Sequence, residues 1–174
     1  LHVPPSGGYD TIPPARHSSI LQMHPHCAAL ILAHDATVAD TVRVAESAAV
    51  VCALGANPVV IALPPEIAPL TTGVRVVRTK PGAPAIAAIR LGMAQFTNTA
   101  ARAVLLVPLA ALPVTAARLE GLLARSTGAM KSIVALDGVG LEESPLVVPR
   151  TAWLELMTLG EQGLQAVVAR VGLG

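Results

Sequence analysis

The stretch CAALILAHDATVADTVRVAESAAVVCALGANPVVIAL, residues 27–63, decides the fold. It opens on an unbroken apolar run, Cys27 to Ala33, and closes on a second strand-length run, Pro58 to Leu63. A strand wetted on one face alternates apolar with polar residues; these do not, so both faces are covered, the condition of strands in a parallel sheet. Between them, Thr37 to Leu54 places Val38, Val42, Ala45, Ala49 and Cys52 at helical spacing, an apolar stripe with Asp40, Arg43 and Glu46 mainly outside it. Gly55 then supplies a helix stop. Strand, helix and strand in that order are the unit of a parallel α/β sheet.

Working outward, the same alternation continues. Val74 to Thr79, Ala103 to Val107, Ser132 to Leu136 and Leu146 to Val148 are strand-length runs, and Ala83 to Phe96, Thr115 to Ala124, Arg150 to Leu156 and Glu161 to Val171 are helix candidates. These predict a three-layer α/β/α sandwich around a mostly parallel, Rossmann-like sheet, with Ala103 to Val107 a central strand beside Cys27 to Ala33. Residues 1–26 are proline-rich and lack sustained periodicity, so they are read as an N-terminal arm preceding one domain, residues 27–174.

With 174 residues the chain suits a single core. Twelve Lys and Arg against eleven Asp and Glu leave a net charge of +1, and no global field favours nucleic acid or an anionic membrane. The aromatic residues are Tyr9, Phe96 and Trp153, too few for base-stacking platforms. The uncharged span Ser47 to Pro65 is broken by Gly55-Ala56-Asn57-Pro58, which makes it helix, turn and strand and not a membrane span. Two cysteines, Cys27 and Cys52, in a strand and a helix do not make a disulfide framework, and a reducing cytoplasm is expected. Hydrophobic residues reach 53% and charged ones only 13%. Ala83 to Ala94 and Ala103 to Ala117 carry Arg90 as their one formal charge, so a homo-oligomer or a place in a protein complex is expected, with Ala83 to Ala94 the candidate interface.

Three segments in order carry a family resemblance. Ala103 to Ala124 resembles the central strand and following helix of the MobA-like nucleotidyltransferases, a family that includes cytidylyltransferases of the same fold. Ala87 to Met93 is similar to the family's Ser-Leu-Arg-x-Gly helix, and Ser144 to Arg150 with Leu159 to Arg170 to its His-Pro strand and Gly-Asp-x-Gly helix start. The resemblance implies a Rossmann-like nucleotidyltransferase fold and, at the position of Ala111, an aspartate that holds magnesium. Here that position is alanine, Ala88 replaces the serine, and Ser144 and Glu161 stand where histidine and aspartate are common. The family's glycine-rich phosphate loop after the first strand is also missing: Leu32-Ala-His-Asp-Ala-Thr-Val38 runs directly into a helix.

Phosphoryl transfer depends on positioning and on neutralising charge on phosphate oxygens. With no carboxylate at Ala111 and no phosphate loop, no residue is assigned as catalytic and no cofactor is expected. The leading expectation is a degenerate, non-catalytic binding or scaffolding subunit. The alternative is a nucleotide-binding protein or transferase, with magnesium and nucleotide, using a rearranged site of His34, Asp35 and Lys80. His34-Asp35 ends the first strand, where this fold binds ligands, and the aspartate could orient the imidazole; the plain reading makes Asp35 a helix cap. Lys80 ends the third strand and can reach the same crevice, and Glu161 is either a further ligand contact or a first-turn carboxylate on a helix dipole. A third possibility is a metal-binding accessory protein, since all five histidines fall in the first 34 residues and His24, His26 and Cys27 form a possible clip.

Overall fold

A computed structural model describes residues 26–126, 133–135 and 143–158. Residues 1–25 of the arm and the helix expected over Glu161 to Val171 lie outside the described residues. The chain runs β1 (Cys27–Leu32), α1 (Thr41–Ala53), β2 (Val59–Leu63), β3 (Arg75–Arg78), α2 (Ala85–Met93), β4 (Ala103–Pro108), α3 (Ala116–Ser126), β5 (Val134–Ala135), β6 (Leu146–Pro149) and α4 (Trp153–Thr158). Short 3-10 turns lead into α1 and α4 and extend α2.

The sheet has six strands in the order β3-β2-β1-β4-β6-β5. β1, β2, β3 and β4 are parallel, with Leu32 opposite Ala62 on one side and Pro108 on the other. The two central strands are therefore β1 and β4, the continuous apolar runs. β6 departs from the parallel pattern, pairing antiparallel with both β4 and β5. The segment from Ala135 to Leu146 is shorter than the dozen or so residues a helical crossover needs, so the chain returns in the opposite direction.

Alternate residues of β1 face two cores. Ala29, Ile31 and Ala33 pack with Val44, Ala48 and Val51 of α1 and Leu119 and Leu122 of α3; Ala28, Leu30 and Leu32 pack with Ala88, Ile89 and Met93 of α2 and Trp153 and Leu156 of α4. The sheet is thus covered on both faces, as its unalternating strands require. Gly92 is a point of close approach on the second face: a Cβ there would lie 2.3 Å from Leu30 Cδ1. Phe96 and Trp153 pack as a tilted pair with ring centroids 6.2 Å apart, and the Arg150 guanidinium lies 4.9 Å from the centre of the Trp153 ring.

α1 buries a different stripe from the one its sequence predicts. Val44, Ser47, Ala48 and Val51 face the sheet, whereas Val38, Val42, Ala49 and Cys52 are exposed. Ser47 to Leu54 is apolar almost all round, so periodicity there does not choose a face. The choice is made by tertiary bonds: Ser47 Oγ, fully buried, accepts from Val114 N–H at 3.2 Å, and Arg43 Nη1 donates to Leu112 O at 3.4 Å. The helix is turned to meet the loop that follows β4.

Candidate ligand site at the strand ends

The first loop of the site follows β1. Ala33 N–H still donates to Ala62 O, and the chain then turns through His34 and Asp35, with Ala36 N–H bonded to Ala33 O. Asp35 does not cap the helix. That role falls to Thr37, whose backbone N–H and hydroxyl donate to Asp40 Oδ2 at 2.8 and 2.9 Å. Asp35 is left with 66% of its side chain exposed, 3.9 Å from His34 Nδ1, beyond hydrogen-bond distance. The His34 ring is only 15% exposed, and its Nδ1 is sealed from solvent with no hydrogen-bond partner.

A second orphan lies two strands away. Thr79 N–H donates to Leu63 O, prolonging the β2–β3 ladder by one step, and the Thr79 side chain is 4% exposed with its hydroxyl unpartnered. Continuing the register Leu63–Arg78 sets Pro64 level with Thr79, and His34 follows in the turn just beyond β1, at the same end of the sheet. Val77, one alternation earlier, faces α2, so Thr79, whose N–H continues the β2–β3 ladder, lies on the α2 side of the sheet. Lys80 is exposed at the turn that leads to α2, where Ala83 N–H donates to Lys80 O and Gly82 takes a φ of +68° that only glycine adopts without strain.

The remaining positions singled out in the sequence are placed as follows. Ser144 is fully buried at the start of β6; extending the β4–β6 register sets it level with Pro108, on the same end of the sheet. Ala88 packs on the inner face of α2. Ala111 is 5% exposed and packs in the core with α1 and α3 residues. Among the described residues no free carboxylate stands where the resembling family holds its metal: Ala111 offers a methyl group, and Asp40, at the N-cap of α1, is committed to Thr37 and to Arg43 Nε at 2.9 Å. Of the clip suggested by His24, His26 and Cys27, Cys27 is buried in the α1–α3 core, and burial pushes its free thiol up to about 12, against a lowering by the Leu105 backbone. His26 is exposed, its carbonyl accepting from Arg102 N–H at 2.7 Å, while His24 and Glu161 lie outside the described residues.

His34 and Lys80, singled out in the sequence, thus stand at this end of the sheet, whereas Thr79 and Ser47 were not singled out there. Thr79 is the one hydroxyl in its strand run, and its alternation with Val77 was the available signal. Nothing local marked Ser47, whose partner is 67 residues away.

The order β3-β2-β1-β4 with α1 and α2 on opposite faces is the topology of the α/β nucleotidyltransferase-like fold, and solved structures agree. A homologue of Mycobacterium tuberculosis Rv0371c from Mycobacterium sp. strain JC1 superposes with a TM-score of 0.66 at 16% identity, over 86% of this chain and 84% of that one. Rv0371c itself, from Mycobacterium tuberculosis H37Rv and solved in complex with manganese, gives 0.58 at 21% identity over 83% and 82%. The 2-C-methyl-D-erythritol 4-phosphate cytidylyltransferase from Thermus thermophilus gives 0.57 at 16% over 84% and 86%. No protein-family model and no curated protein matches the sequence. At these identities the likeness establishes the fold. No helix of the described residues is long and apolar enough to cross a membrane.

Proposed function

We propose that this chain is a nucleotide-binding domain of nucleotidyltransferase type with a rearranged site, and not the scaffolding subunit that the missing motifs first suggest. The observation that carries the reading is a pair of buried polar atoms, His34 Nδ1 and Thr79 Oγ1, that no protein atom satisfies, at the carboxyl ends of β1 and β3. In open α/β sheets the crevice beyond the strand ends beside the switch in strand order is where ligands bind, and here the switch lies between β1 and β4, at His34. Buried polar groups left without partners mark places where something else completes them.

The fold neighbours include a cytidylyltransferase, so CTP is the first nucleotide to test, with GTP, the substrate type of the MobA-like branch, as comparison. Ala111 supplies no ligand, so a divalent ion adds no protein-bound charge at the site. Calorimetry should show CTP or GTP binding whose affinity is unchanged by magnesium or manganese, and weakened in His34→Ala. Absence of binding by either nucleotide at millimolar concentration overturns the reading in favour of a scaffold. Binding that appears only with the metal overturns the rearranged geometry.

A further inference from the structure

We propose that the outward apolar stripe of α1 is the docking surface of this chain's own N-terminal arm, residues 1–25.

The stripe is the one that helical spacing marks for burial, and the fold turns it outward. Val38, in the turn that leads into α1, is 75% exposed and Val42 58%, and Ala49, Cys52 and Ala53 continue the exposed face to the end of the helix. The opposite face of the same helix rests on the sheet through Val44, Ala48 and Val51. A surface helix turns a polar face to water, and one that is apolar all round is buried all round. Between Thr41 and Ala53 the charged residues are Arg43, half-buried and paired with Asp40, and the exposed Glu46.

The described fold leaves this flank open. Residues 64–74 join β2 to β3 without a helix, so a loop stands where a parallel crossover usually places a second helix beside α1. A shallow cleft lies between Thr41 and Ala45 of α1 and Ile67 and Leu70 of that loop, and Leu70 is 61% exposed. Val38, Val42 and Leu70, on or beside α1, are thus three of the five large apolar side chains exposed among the described residues. Scattered apolar residues at a surface need no partner, whereas a gathered patch marks an interaction surface.

The occupant follows from where the arm joins the sheet. Asn57 N–H donates to Cys27 O, and only Leu54, Gly55 and Ala56 separate Asn57 from the last residue of α1. The chain therefore enters β1 next to the Cys52 end of the stripe. From Cys52 to Val38 the stripe runs about 21 Å, at about 1.5 Å per residue. An extended chain covers that distance in about seven residues, a fraction of the arm's length. Met23, Leu21 and Ile20 stand four, six and seven residues before Cys27, so their reach of about 13–23 Å matches the stripe. From His17 to His26 there is no Asp, Glu, Lys or Arg, and Pro25 has no N–H to lose against an apolar helix. A segment attached to the same chain meets the stripe at an effective concentration on the order of millimolar, far above that of a second copy in micromolar solution.

The test uses the native thiol of Cys52 as its reporter, since Cys27 is 3% exposed and stays unreactive in the folded protein. The rate at which a maleimide alkylates Cys52 is measured in the full chain and in the variant Ile20→Ser/Leu21→Ser/Met23→Ser, with circular dichroism to establish that both are folded. Losing the apolar anchors of the arm should speed the reaction about tenfold or more. Val42→Cys in a Cys52→Ala background sets a second reporter farther along the stripe and should show the same acceleration. Leu21→Ser alone, with a smaller acceleration, serves if the triple variant does not fold. An unchanged rate at either reporter overturns the proposal. Protection of Cys52 that fades when the parent protein is diluted to low micromolar concentration also overturns it, because a second copy then covers the stripe.

Discussion

Asp40 accepts hydrogen bonds from the backbone N–H and the hydroxyl of Thr37 and pairs with Arg43, an arrangement that fixes the turn between β1 and α1. The backbone N–H of Thr37 is the largest of the influences that hold the Asp40 carboxyl below its ordinary value of 3.8, followed by the Thr37 hydroxyl and then Arg43. A carboxylate whose pKa is depressed by folding contributes stability above the unfolded pKa, and that contribution is lost as pH falls through the folded value. Asp40→Asn should therefore be less stable than the parent at neutral pH. The gap should close in acid, below about 3.8. Thermal unfolding of both proteins as a function of pH checks this; a gap independent of pH would assign the cost to packing and not to charge. The Thr-x-x-Asp spacing of this cap is visible in the sequence, but Asp35 stands nearer the strand end and competes for the same role. Exposure decides between them: the loop turns Asp35 outward and leaves Asp40 to reach back.

At the scale of elements, α2 is the piece whose placement matters most, since it covers one face of the sheet and rests on Leu30 through Gly92. A methyl group at Gly92 has to displace a fully buried leucine whose Cδ1, Cδ2 and Cγ would lie at 2.3, 2.6 and 3.0 Å. Alanine favours helix over glycine by about 1 kcal/mol, yet crowding a packed core costs typically 1–3 kcal/mol. Here the clash involves both branches of the leucine and its branch point, so crowding wins. Gly92→Ala is expected to lower stability by up to about 2 kcal/mol on these figures, measurable as a drop in the urea midpoint at constant slope. An unchanged or raised midpoint would show that α2 can lift from the sheet. Existence of α2 was legible from its apolar run between Pro84 and Phe96, because helix-forming residues bounded by a proline start need no tertiary help to be recognised. The face of α1 was not legible, because Ser47 to Leu54 is apolar on every side and only Val114 and Leu112, distant in sequence, select the buried one.

For the whole molecule, the low charge content receives a largely internal explanation: α2 and α4 cover one face of the sheet, α1 and α3 the other, and the stripes of α2 lie inside. Val38, Val42, Leu70, Leu91 and Leu154 remain exposed among the described residues, and Leu91 and Leu154 lie on α2 and α4, helices that touch each other. The self-association expected through Ala83 to Ala94 is therefore tested at Leu91. Sedimentation in the low micromolar range should show a dimer that Leu91→Lys dissociates; a monomer unaffected by that change would make the apolar excess wholly internal. The sequence by itself determined the succession of strands and helices, the doubly covered sheet and the centrality of β1 and β4. Those depend on composition along short segments, where burial on two faces writes itself as an unbroken apolar run. It also determined what is missing, a carboxylate at Ala111 and a phosphate loop after β1. Only the tertiary structure decided the direction of β6, the buried face of α1, and the burial of the Thr79 hydroxyl and His34 Nδ1 without partners. These depend on register between strands far apart in the chain and on contacts such as Gly92 with Leu30, and no local pattern of residues encodes which distant partner a side chain will meet.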